Sequence, residues 1–114
     1  MTSSIKFIIL YYYNKGCDGM NQIYQNKQFK VYRMENCYIL HNSSKEFANG
    51  HTHLESLKQC KLIIQLSLEK RIPQHLPKYL LTSLYRVNEG EYAYKVMELI
   101  NNKRKKQVYV NRHN

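Results

Sequence analysis

The sequence predicts a single α+β domain, a small antiparallel sheet of about three strands followed by and packed on three helices. Two observations carry this. Strand-like apolar and aromatic runs occur before Ser43, and apolar residues at helical spacing occur after Ser56. Strands and helices are therefore segregated, which excludes a doubly wound fold, where they alternate. At 114 residues the chain is also short of the ~150 that bounds one ordinary domain.

Ile5–Tyr13 reads as the first strand, β-branched and aromatic, with near-continuous apolarity that suggests cover on both faces. Asn14–Gly19 is a turn-rich connector. Asn21–Lys27 is polar and fits either a loop or a strand extension. Gln28–Met34 and Cys37–Asn42 form a hairpin about Glu35-Asn36, since asparagine tolerates the left-handed conformation a tight turn needs. That register puts Phe29 and Val31 on one face with Tyr38 and Leu40, and Tyr32 and Met34 on the other with Cys37 and Ile39. Neither face is purely polar; one is expected to pack on the helices and the other to present tyrosine to solvent.

Ser43–Leu57 has no clear period and holds two of the five histidines. Helix one is expected over Leu57–Arg71, with two competing capping boxes at its start, Thr52 with Glu55 and Ser56 with Gln59. Leu57, Cys60, Ile64 and Leu68 form its inner stripe. Leu62 and Leu66 fall on nearly the opposite side, as layer contacts or as a homodimer surface. Pro73 ends that helix, and Pro77 opens the next, Pro77–Val87, with Leu80, Leu84 and Val87 inward. Asn88 and Glu91 cap helix three, whose stripe is Tyr92, Val96, Leu99 and Ile100, widened by Ala93 and Met97. Lys103–Lys106 continues it, and Gln107–Asn114 is a frayed tail or a short strand.

The formal net charge is +10, from 18 Lys and Arg against 8 Asp and Glu. Such a balance favours polyanionic partners: nucleic acid, an anionic membrane or an acidic protein face. The nine residues Ile5–Tyr13, apolar but for Lys6, cannot span a bilayer, which takes ~20, and no membrane partner is expected. Cys17, Cys37 and Cys60 make no CxxC pair, so neither a zinc knuckle nor a redox motif is supported, and a reducing cytoplasmic setting is the natural reading.

Chemistry has few footholds. Asn49-Gly50-His51-Thr52-His53 places two imidazoles where an extended backbone could grip one metal, with a third ligand from His41, Cys37, Glu46 or Glu55. A metal-dependent hydrolase or nuclease built on His51, His53 and His41 is thus the alternative reading. The competing one is a turn, a helix cap and locally bonded histidines. No Gly-rich phosphate loop or paired carboxylates are present, so no catalytic residue and no cofactor is assigned. The basic material is the stronger signal. Lys103, Arg104, Lys105, Lys106 and Arg112, with Tyr109 between, suit phosphate contact and base stacking, and Lys70 and Arg71 could extend the patch.

Several motifs carry a resemblance. They are Tyr38-Ile39-Leu40-His41-Asn42, Lys45-Glu46-Phe47-Ala48-Asn49-Gly50-His51-Thr52-His53, Arg71-Ile72-Pro73-Gln74-His75-Leu76 and Tyr79-Leu80-Leu81-Thr82-Ser83-Leu84. Over Phe29–Leu99 the chain resembles small uncharacterised proteins of Firmicute phages and mobile elements. The resemblance implies a phage-type setting, in which short non-catalytic binding proteins interfere with host nucleic-acid machinery, CRISPR effectors included. It implies no catalytic residues.

Overall fold

The structure, a computed structural model, describes residues 21–113, with side chains as far as Lys103. The expected strand Ile5–Tyr13, the connector after it and Cys17 lie outside the described residues. The elements are β1 (Asn21–Asn26), β2 (Phe29–Arg33), β3 (Tyr38–Asn42), α1 (Phe47–Gly50), β4 (His51–Leu54), α2 (Leu57–Glu69), α3 (Lys78–Arg86) and α4 (Gly90–His113). The strands form one antiparallel sheet in the order β1-β2-β3-β4. The α+β class holds, but the sheet has four strands among the described residues where about three were expected.

Two strands account for the difference. Asn21–Asn26 pairs with β2 through a turn at Lys27, which takes a positive φ of 53°, and the ladder is interrupted by a bulge between Gln22 and Tyr24. His51–Leu54 pairs with β3 along the register Tyr38↔Leu54, Ile39↔His53, Leu40↔Thr52 and His41↔His51. Thr52 is therefore a strand residue and not a helix cap; its Oγ1 lies 2.8 Å from Ser83 Oγ on α3. The β2–β3 hairpin has the expected register, with Val31 opposite Leu40 and Arg33 opposite Tyr38.

One sheet face carries Phe29, Val31, Leu40 and Leu54, all buried against Cys60, Ile63, Ile64 and Leu66 of α2 and Leu80, Leu81 and Leu84 of α3. Each fully buried leucine or isoleucine contributes about 1.5–3 kcal/mol by leaving water. Leu66 is 1% exposed and belongs to this core, so it cannot be half of a homodimer surface; Leu62, at 37%, stays in solvent. The expected stripe Leu57, Cys60, Ile64 and Leu68 does face the core, but the buried side of α2 is wider and also takes in Ile63, Leu66 and Ser67, because the helix lies between the sheet and the other helices. Ser56 caps α2 by accepting from the Gln59 N–H, while the Gln59 carboxamide accepts from the Glu55 N–H.

α2 ends earlier than expected. Lys70 takes a left-handed conformation (φ 54°, ψ 44°), its N–H returns to the carbonyls of Leu66 and Ser67, and the Arg71 N–H bonds Leu66 O at 3.1 Å. Pro73 lies beyond an end already made. α3 begins after Pro77, as expected to within a residue. Asn88 does not cap α4. It is buried, and its amide donates to Ser67 Oγ and to Leu84 O, both at 2.8 Å. Gly90, with φ 75°, opens α4 instead, a conformation glycine adopts without penalty. α4 then runs to His113, where a frayed tail or short strand was expected. No proline or glycine interrupts it, and lysine, arginine and glutamine are good helix formers.

Candidate functional site

The β4 strand brings His41, His51 and His53 onto the sheet face opposite the core, in two cross-strand rows: Lys30–His41–His51 and Tyr32–Ile39–His53. This face was expected to present tyrosine. It carries the half-buried Tyr32, but also Ile39 at 1% exposure and the three histidines. Phe47 of α1 inserts among the rings. It stacks on His51 with centroids 4.1 Å apart and lies 5.3 Å from His41. A backbone carbonyl can only accept, so the hydrogen bond to Lys45 O puts the His41 proton on Nε2, and that to Phe47 O puts the His51 proton on Nδ1.

The three rings thus share a face without converging. Phe47 separates two of them, each of those two commits a nitrogen to a carbonyl, and His51 meets His53 edge-on at 5.2 Å. Among the described residues no group of three His, Cys, Asp or Glu side chains is arranged to hold a metal ion. The local environment also disfavours the charged form of two of the imidazoles, His41 and His53. Burial lowers the His41 pKa, and the nearby His51 and Lys30 add to that. Partial desolvation, His51 and Arg86 lower that of His53.

A cysteine–histidine contact escaped sequence reasoning. Cys37 Sγ lies 3.5 Å from His53 Nδ1, because the hairpin end falls diagonal to β4. Burial pushes the Cys37 thiol up while His53 is pushed down, so the pair is a neutral S–H···N contact and not a thiolate–imidazolium pair. Cys60 is in the core, its thiol pushed up to about 12 by burial, and is chemically inert.

The α3–α4 corner is the most constructed surface. Asn42 at the end of β3 donates to Val87 O at 2.8 Å, and the Lys45 ammonium donates to Asn88 O at 2.8 Å and Arg86 O at 3.3 Å. A cation here complements the negative end of α3. Around the corner lie two grooves. One, of about 700 Å³, is lined by residues including Lys45, Asn49, His51, Tyr85, Arg86, Glu89 and Tyr94. The other, of about 550 Å³, is lined by Thr52, His53, Lys78, Tyr79, Thr82, Ser83 and Arg86. Arg86 borders both. Sequence reasoning missed these residues. The available signal was the placement of Tyr79, Tyr85 and Tyr94 next to apolar-stripe positions, where a helical tyrosine faces out.

No protein-family model, curated protein or solved structure matches this chain.

The predicted basic residues fall in three situations. Arg71 is exposed and paired with Glu69 at 2.6 Å, and the exposed Lys70 stands 5.4 Å from the Tyr92 ring centroid. Lys103 is half-buried, against the expectation that the whole run is exposed. Arg104, Lys105, Lys106, Tyr109 and Arg112 all sit on the last turns of α4. Among the described residues no helix is long and apolar enough to cross a membrane.

Proposed function

We propose that this protein is a non-catalytic binding protein whose partner is a nucleic acid, free or within a host nucleoprotein complex. The carrying observation is charge. With 18 cationic and 8 acidic side chains, ten cations stay uncompensated even if every carboxylate is paired. Phosphate backbones are the partner such a surplus serves best, because each neutralised phosphate releases counterions. The extended end of α4 supplies one dense part of the surplus, Lys103–Lys106 with Arg112. In the phage-type setting that the resemblance implies, the protein would act in an anti-CRISPR-like manner, occupying a guide RNA or a DNA path.

The metal-hydrolase alternative gains no support from the histidine face, where Phe47 and two backbone carbonyls occupy the positions a ligand set would need.

The test is fluorescence anisotropy with labelled oligonucleotides across a salt series. Affinity should fall steeply with salt. Replacing Lys103, Arg104, Lys105 and Lys106 by alanine should weaken binding and make the log–log slope shallower by about three. Binding that is absent, or indifferent to salt, would overturn the reading. Capture from a host lysate with and without nuclease then separates free nucleic acid from a nucleoprotein partner.

A further inference from the structure

We propose that the two grooves sharing Arg86 form one track for single-stranded nucleic acid, with Tyr79, Tyr85 and Tyr94 as base-stacking platforms. The inference rests on the nucleic-acid reading above and adds the surface and the strandedness.

Three observations support it. First, these tyrosines are 56%, 38% and 66% exposed, and they are three of the five exposed large hydrophobic side chains among the described residues. An isolated exposed tyrosine is ordinary, but these three line two adjoining concavities. Tyr79 is steadied by the Gln59 carboxamide, which donates to its hydroxyl at 3.4 Å and leaves the ring open to solvent.

Second, the charges are placed for a phosphodiester. Arg86 borders both grooves, Lys78 lies in the groove with Tyr79, and Lys45 in the groove with Tyr85 and Tyr94. Glu89 is the acidic residue among the lining side chains, so cations outnumber acids there. The Lys45 ammonium is engaged with two carbonyls and contributes field more than a direct contact. The Arg86 side chain is exposed, and its carbonyl, not its guanidinium, holds Lys45.

Third, the track leads toward the basic end of the molecule. The helix that carries Tyr94 continues through Lys103–Lys106 to His113.

Alternating aromatics and cations suit unpaired bases, whose faces are free to stack while the backbone follows the positive groove. A duplex hides those faces, and an acidic protein surface would need the cations but not the rings.

The experiment compares binding of labelled oligo-rU and oligo-dT of about 15 nucleotides, a size that covers several stacking platforms, with a duplex of the same length. Poly-glutamate of equal charge serves as competitor. Wild type should prefer single strands, and the RNA and DNA arms identify the source of the strand. The triple variant Tyr79→Ala, Tyr85→Ala, Tyr94→Ala should bind about a hundredfold or more weakly, since each of the three lost stacks is worth roughly fivefold or more. The corresponding Tyr→Phe triple should bind like wild type, which a role for the hydroxyls or the fold would not produce. Arg86→Ala should weaken both arms and reduce the salt slope by about one.

If the alanine triple binds single strands as wild type does while neutralising Lys103–Lys106 abolishes binding, the track is wrong and the nucleic-acid reading stands. Preference for duplex, or equal competition by poly-glutamate, also overturns the track. If no nucleic acid binds at all, both inferences fall.

Discussion

His41 shows how one buried side chain sets a pH limit on the whole fold. Its ring is 7% exposed, donates to Lys45 O and faces Lys30 and His51 across the ladder. Burial is the largest cause that lowers its pKa in the folded chain; the hydrogen bond to Lys45 O opposes the shift, and His51 and Lys30 add to it. In the unfolded chain it titrates near 6.5, about the ordinary value. The unfolded state therefore takes up the proton first as pH falls, and the stability present above about 6.5 is lost as pH drops through the lower folded value. His53 shifts in the same direction and adds to the trend. The urea midpoint should fall between pH 7 and pH 5, and His41→Gln, which keeps an amide donor for the Lys45 carbonyl, should flatten that fall. A midpoint equally sensitive in the variant would remove His41 from the account.

Among the elements, the α1–β4 junction depends on one close approach. A Cβ at Gly50 would stand 2.5 Å from Lys45 Cβ and 3.4 Å from Asn42 O. Lys45 Cβ is fixed to the backbone, so it cannot swing away. Gly50→Ala should cost about 1–3 kcal/mol, read as a lower urea midpoint at unchanged slope. Wild-type stability in that variant would show that the Lys45 loop gives way freely. The same stretch marks the limit of what the sequence discloses. His51-Thr52-His53-Leu54 alternates with Thr52 and Leu54 inward, but four residues are too few for period two to stand out, and Thr52 also fits a capping box. The hairpin, α3 and the stripe of α4 were legible because leucine, valine and proline fix them locally. β1 was not: its turn uses Lys27 at positive φ, a position where asparagine or glycine is the usual signal. The candidate track was illegible for another reason. Tyr85 and Tyr94 come to line one groove, beside that of Tyr79, only when α3 and α4 fold about Val87–Gly90; stripe-adjacent positions mark these rings as outward-facing, but nothing local in the sequence shows that they share a corner.

At the level of the whole molecule, buried amides join the sheet to the helices. Asn42 links β3 to the end of α3, Asn88 links α3 to α2, and the Tyr92 hydroxyl donates to Arg71 O at 2.6 Å across to the end of α2. No buried side-chain nitrogen or oxygen among the described residues lacks a partner. Asn42→Ala leaves Val87 O without its donor in a dry setting and should cost about 1–3 kcal/mol, measurable by chemical denaturation. A smaller loss would mean that water reaches the corner. The corner's construction has one more effect. Lys45 grips main-chain oxygens at Arg86 and Asn88, so that tie does not depend on which side chain stands at residue 86. A change of side chain there alters the charge of both grooves while leaving the clasp between the sheet and the α3–α4 turn in place.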